Sequence, residues 1–242
     1  MITGPSCTPS SCRTAPQVVV VGPPGTRRME LLLAAARRAG WHRPTALPYP
    51  RAQLLPHPCL EGTPRRGPPP PHVLVRLDSP QDDLHTLRCL LTLGIAPTAA
   101  AGRTPLSPQQ IEWLSPARGE LVHPLQWFLG FRELLQGLSQ RWTRNVSWMS
   151  HPQAVLQMFD KHACRQLWSA AGLPVAPSPA CPQGYDELRQ QVRSPHARLF
   201  IKLRYGYAAA GATALEWHGS RLRAISTVET VRNAGQTRLF VS

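Results

Sequence analysis

Residues 17–40 read QVVVVGPPGTRRMELLLAAARRAG, and the order of residue types in this stretch sets the fold class. A β-branched run closing on Gly22 is the pattern of a strand buried on both faces of a parallel sheet. The turn Gly22-Pro23-Pro24-Gly25-Thr26 then leads into a helix expected from Arg27 to Arg38 and stopped by Gly40. Strand, small-residue turn and helix make the first βα unit of an α/β domain. The turn has neither the full G-x-G-x-x-G of a dinucleotide site nor the Gly-Lys-Ser/Thr of a P-loop. Its glycines therefore read first as what a tight crossover needs. A redox enzyme binding a nicotinamide cofactor at Gly22 to Thr26 is the competing expectation.

Working outward, residues 1–16 read as a disordered leader, and the Pro-rich stretch from Pro64 to Pro71 as an extended surface linker. His72 to Leu77 (HVLVRL) alternates as a strand should, and Asp78-Ser79-Pro80 is placed to cap a helix from Gln81 to Leu93, ended by Gly94. Arg76 and Asp78 then fall beyond the carboxyl edge of the sheet, where open α/β sheets bind ligands, so both are candidate substrate contacts; a local ion pair is the plainer reading. Residues 107–149 look helical and rich in aromatics, and Trp127, Phe131, Leu134, Leu135 and Leu138 share one helical face. Such a stripe is a core signature. The expected organisation is a Rossmann-like domain over 17–106, a helical linker over 107–150, and a small α+β lobe over 151–242.

At 242 residues, with 42% apolar and 17% charged content, the chain is long enough for one large or two small cores. Its formal charge of +14 is spread along the whole length, without a basic helix or an RNA-binding signature. The charge alone argues poorly for a nucleic-acid partner, although it would attract anionic ligands such as nucleotides. No segment approaches the roughly 18 apolar residues of a membrane span, and the start lacks a signal peptide's apolar core. A cytoplasmic protein is expected. Cys7, Cys12, Cys59, Cys89, Cys164 and Cys181 show no disulfide or metal-site spacing and read as reduced thiols.

Lysine occurs at two positions, 161 and 202, among 27 basic residues. Arginine is a rigid planar fork and lysine a compact charge on a flexible stem, so a chain biased this far towards arginine keeps lysine where something requires it; drift in base composition is the alternative. Asp160 is a good N-cap for a helix whose residues Ala163, Cys164, Leu167, Trp168 and Ala171 form one apolar face, with Gly172 and Pro174 closing it. Lys161 thus lies in the first helical turn, where the helix dipole costs a cation roughly 0.3–1 kcal/mol unless an anion is shared. Asp160 could be that anion, and so could a bound phosphate. Arg198 to Leu203 (RLFIKL) reads as a strand following another near Leu173 to Ala176 and a helix near Tyr185 to Val192. It puts Phe200, Lys202 and Arg204 on one face. Tyr205 to Gly211 (YGYAAAG) is a small-residue turn able to present backbone N–H groups to phosphate oxygens.

Taken together, Phe159-Asp160-Lys161, the helix end Ala171-Gly172-Leu173-Pro174-Val175-Ala176-Pro177, and Phe200-Ile201-Lys202 followed by Gly206 and Gly211 resemble the ATP-grasp superfamily of ATP-dependent ligases. The resemblance implies an α/β fold, with a Rossmann-like domain, a helical linker and the first α+β lobe of the grasp. It also implies ATP as cofactor, held through its phosphates by Lys161, Lys202 and the loop Gly206, Ala208, Ala209, Ala210 and Gly211. The implied partner is a small-molecule carboxylate, activated as an acylphosphate and captured by an amine or similar nucleophile. Departures from the family pattern are equally concrete. Lys202 precedes Leu203 where proline is usual, and alanines stand where the loop commonly has serines. The second half of the grasp, with its carboxylate and amide ligands for Mg²⁺, is expected beyond Ser242, so Mg²⁺ is expected only with that missing half. The chain reads as half a clamp with little ligase activity of its own, and a non-catalytic nucleotide-binding or interaction module is the alternative. An unfinished sheet at residues 236–242 would offer an edge for self-association.

Overall fold

The computed structural model describes residues 17–58, 72–80, 83–179, 181–182, 184–192, 194–206, 211–233 and 236–241. The leader at 1–16, the linker at 64–71 and the loop residues Ala208, Ala209 and Ala210 lie outside the described residues. In chain order the elements begin β1 (Gln17–Val21), α1 (Arg27–Arg38), β2 (His42–Leu47), α2 (Tyr49–Leu54), β3 (Val73–Leu77), α3 (Leu84–Leu93) and α4 (Ile95–Ala100). They continue α5 (Pro108–Glu112), α6 (Pro124–Arg141), β4 (Val146–Trp148), α7 (Pro152–Phe159), α8 (Lys161–Ala170) and α9 (Tyr185–Gln191). Last come β5 (His196–Ile201), β6 (Thr213–His218), β7 (Arg221–Ser226), β8 (Val228–Asn233) and β9 (Gln236–Val241). The chain is mixed α/β and falls into two compact units, each assembled from separate stretches: Met1–Thr86 with Gly137–Ser150, and Leu87–Gln136 with His151–Ser242. The sequence had suggested consecutive segments instead.

The first unit is built on a four-stranded parallel sheet in the order β2-β1-β3-β4. Its centre is β1, whose valines 18 to 21 are all buried, as a strand flanked on both edges and covered on both faces requires. Thr26 caps α1 by accepting the Met29 N–H at 3.3 Å, and Met29, Leu32 and Leu33 then pack onto Val18 and Val20. Proline at position 44 confines β2 to an edge of the sheet, since its nitrogen cannot donate to a ladder. The register between Gln17 and Val19 slips there.

Two expectations are corrected in this unit. Residues 146–148 are a strand, β4, and not the end of a helical segment: Trp148 stacks on buried Trp142 at 5.8 Å, and β4 lies parallel to β3. Asp78 does not cap α3, because its own N–H still bonds to Val21 in the sheet and the helix starts only at Leu84. Asp83 takes the capping role, with a carboxylate oxygen 2.7 Å from the Thr86 N–H.

In the second unit the aromatic stripe of α6 is core as expected, with Trp127, Phe131, Leu134 and Leu135 buried. Helices α3 and α6 approach backbone to backbone through two glycines. A Cβ at Gly130 would lie 1.7 Å from the Leu90 carbonyl oxygen, and one at Gly94 2.0 Å from that of Gln126. Gln126 itself is buried and fully used: its amide donates to the Leu91 carbonyl at 2.8 Å and its oxygen accepts the Leu106 N–H at 2.8 Å.

Strands β5, β6 and β7 form an antiparallel meander, with Leu188 of α9 packed on Leu215 and Trp217. The expected strand near Leu173 to Ala176 is absent, so β5 has no parallel partner and the βαβ reading fails. Prolines 174, 177 and 179 remove the donors a ladder needs. The apolar stripe of α8 carries no buried residue, and Leu167 and Trp168 are about half exposed. Strand β9 pairs with β8 on one side, while on the other it bonds to residues 119–121 and Arg238 pairs with Glu120. The edge expected to lie open is thus partly filled. Among the described residues no helix is long and apolar enough to cross a membrane.

Candidate functional site

Asp160 organises the lysine region. Lying between α7 and α8, it accepts the His162 and Ala163 N–H groups on Oδ1, each at 3.1 Å, which is the N-cap its sequence position calls for. The same carboxylate receives the Arg204 guanidinium in a two-pronged ion pair at 2.8 and 2.7 Å. Backbone contacts extend this: the Lys161 N–H donates to the Arg204 carbonyl at 3.2 Å, and the Lys161 ammonium donates to the Gly206 carbonyl. Residues 204–206, which open the glycine-bounded loop, are therefore fastened to the start of α8. From the other side Tyr205 stacks on buried Phe128 of α6, with ring centroids 4.0 Å apart and planes 11° from parallel. A stacked pair of this kind is worth about 0.5–1.5 kcal/mol beyond the area it buries.

This arrangement decides how a phosphate could be held. The N–H groups of Lys161, His162, Ala163 and Cys164 already have acceptors, so the helix N-terminus has no spare donors to offer an anion. What remains there among the described residues are the two ammonium groups, since loop residues 207–210 lie outside them. Lys202 follows the last residue of β5, just past the strand in which the sequence placed it. Burial, and next the nearby Lys202 ammonium, hold the Lys161 amine below its ordinary value of 10.5, with the Asp160 carboxylate opposing them. Lys161, Lys202 and Arg204 against Asp160 make three cations to one carboxylate, a net local charge of +2. Gly211 closes the loop and is constrained twice. Its φ is +71°, and a Cβ there would lie 2.5 Å from Leu203 Cγ, so glycine alone fits without moving the chain.

Burial works to raise the Asp160 carboxyl, but the Arg204 guanidinium and the Ala163 and His162 N–H groups outweigh it, so the group is held below its ordinary 3.8. A carboxyl with a depressed folded value contributes stability that is present above the unfolded value and is lost as pH falls through the folded one. Acidification below about 3.8 is thus expected to uncap α8 and release the Arg204 ion pair together. Amide exchange at His162 and Ala163 should accelerate over this range in the native chain. In Asp160→Ala, which has no side-chain oxygen to accept them, it should be fast already at neutral pH and change little with acid. Equal protection of these amides in both proteins would refute the assignment.

Arg76 and Asp78 belong to the other compact unit and do not pair with each other in the way the plainer reading supposed. Asp78, nearly fully buried, is engaged by Arg28 Nε at 2.9 Å, and its backbone carbonyl accepts the Tyr49 hydroxyl. Arg76 Nε is buried and has no hydrogen-bond partner among the described residues. Arg28 was not singled out in the sequence, because nothing in a helical Arg-Arg doublet says which arginine turns to a carboxylate fifty residues away. Among the described residues no group of three or more His, Cys, Asp or Glu is placed to hold a metal ion. No family model matches the chain, and no curated protein or solved structure is found to match it.

Proposed function

We propose that the second unit binds the phosphates of ATP between Lys161, Lys202 and the loop from Gly206 to Gly211, as the nucleotide-binding part of an ATP-grasp ligase that activates a carboxylate. The observation that carries this reading is the convergence of the chain's two lysines, 41 positions apart, with burial and like charge together depressing Lys161. Holding two cations near enough to repel is unfavourable in the free protein, and a polyanion shared by them would turn that repulsion into binding energy. The ATP-grasp resemblance rests on Phe159-Asp160-Lys161, the helix end from Ala171 to Pro177, and Phe200-Ile201-Lys202 followed by Gly206 and Gly211, and it is a resemblance of sequence. In this reading the nucleotide's phosphates meet ammonium groups and loop N–H groups, while the capped end of α8 serves only to position Lys161. A Rossmann-like role for the parallel-sheet unit belongs to the same proposal. There Arg76 is the group left for a substrate carboxylate, since Asp78 is committed to Arg28.

Calorimetric titration of the chain with ATP, ADP, tripolyphosphate and adenosine tests the phosphate assignment directly. Affinity should follow the number of phosphates, with tripolyphosphate binding and adenosine contributing little. Adenosine binding as tightly as ATP would show that the lysines are not what holds the ligand.

A further inference from the structure

The segment after α8 returns Cys181 to the first turn of that helix, where its Sγ stands 3.3 Å from His162 Nδ1. The thiol is exposed, and Arg204 lies within electrostatic range of it. An imidazole nitrogen able to take a proton thus stands within hydrogen-bond reach of an exposed thiol, the pairing that makes a cysteine a nucleophile, while the Arg204 guanidinium is itself paired with Asp160. The other thiols among the described residues differ. Cys89 is partly buried, and that burial pushes its thiol up to about 11. Cys164 lies one turn into α8 and is also partly buried. Neither the lysine pair nor the loop contacts described above make any use of the Cys181–His162 contact.

We propose that Cys181 and His162 form an activated thiol pair, and that Cys181 is a modification site at which this protein exchanges with low-molecular-weight disulfides. With His162 in the tautomer protonated on Nε2, the thiol proton passes to Nδ1. The Cys181 thiolate attacks one sulfur of the disulfide. A Cys181–S–S–R bond forms as the reagent's own S–S bond breaks, and the departing thiolate takes up the proton from the imidazolium to leave as a free thiol. The reagent disulfide is the oxidant, so electrons balance without another partner. Because His162 adjoins Lys161, a substituent on Cys181 is also placed to disturb the lysine pair. That consequence rests on the nucleotide reading, whereas the reactivity does not.

The test treats the intact chain with dithiodipyridine and reads each cysteine by peptide mass spectrometry, natively and in urea. Near pH 6, Cys181 of the native chain is expected to react at least about tenfold faster than Cys89 or Cys164, and faster than Cys181 of the unfolded chain. His162→Gln should remove most of that advantage near pH 6 and little of it near pH 9, where free cysteines in general are largely thiolate without a base. A native rate at Cys181 no higher than the unfolded rate near pH 6 would overturn the proposal without reliance on any variant. So would a His162→Gln protein that keeps the wild-type profile. If Cys181 reacts as expected and its mixed disulfide with glutathione leaves ATP affinity unchanged, the thiol pair stands and the placement of phosphates beside Lys161 fails.

Discussion

Gly130→Ala is expected to destabilise the second unit by about 3 kcal/mol, the upper end of what overpacking a close-packed interior costs. The added methyl would overlap the Leu90 carbonyl oxygen at 1.7 Å and the Gly94 nitrogen at 2.8 Å, and both are backbone atoms that cannot rotate away. Helix propensity acts in the opposite direction, since alanine in a helix interior is better than glycine by about 1 kcal/mol. Overlap with a neighbouring backbone wins because relieving it means separating α3 from α6 along a buried face that includes Leu90, Leu91 and Phe131. Gly137 supplies the control within the same helix. A Cβ there would meet only the tip of the Arg141 side chain at 3.0 Å, which can swing aside. Thermal unfolding should place Gly137→Ala at or slightly above wild type and Gly130→Ala lower by roughly 6–12 °C for a chain of this size. Equal melting temperatures for the two variants would mean that the helices are not in backbone contact.

Lys161→Ala and Lys202→Ala are each expected to weaken ATP about ten- to a hundredfold, the range for losing one charge-assisted phosphate contact. The double variant should lose less than the product of the two, because each ammonium in the free protein also suffers from the other's presence. The proton bookkeeping makes a sharper test. A lysine depressed in the folded protein loses its charge before an ordinary one, so ATP affinity should fall as pH rises through a value below 10.5. Anion binding favours the charged form and is accompanied by proton uptake over that window. Removing the Lys202 charge leaves burial as the main cause of depression, and the alkaline limb should therefore move upward in Lys202→Ala. Calorimetry across alkaline pH in buffers of different ionisation enthalpy reads both effects. An unmoved limb in that variant would separate the two lysines. In the free protein the same depression makes the folded state gain stability with rising pH between the folded value and 10.5.

What the sequence disclosed and what it hid divide along physical lines. Helix α1 was legible to its end residues and strand β1 to within one, because a valine run and a small-residue turn are local signals that agree with one another; the capping role of Thr26 came from the structure. Strand β2 was silent: HRPTAL has no apolar alternation and contains a proline, and only pairing with β1 makes it a strand. Strand β4 is three residues long and is fixed by Trp142 and Trp148, which locally look like any other aromatics in a helical stretch. In the candidate site, Asp160 as N-cap and Gly211 as loop glycine follow from local rules. The Arg204 pair on Asp160 and the Cys181–His162 contact do not, since each depends on where a proline-rich segment or a strand end brings the chain back.

The parallel sheet of the first unit also sets a timetable for synthesis. Strand β3 is made early, but its outer neighbour β4 lies beyond Leu87–Gln136, a stretch that belongs to the other unit. At about 5–20 residues per second, roughly 4–14 seconds separate the emergence of Leu77 from that of Trp148 on a translating ribosome. During that interval the Val73–Val75 edge is a bare, apolar ladder of donors and acceptors, the kind of template on which nascent chains pair wrongly. A pause or premature stop between β3 and β4 would prolong that exposure or make it permanent.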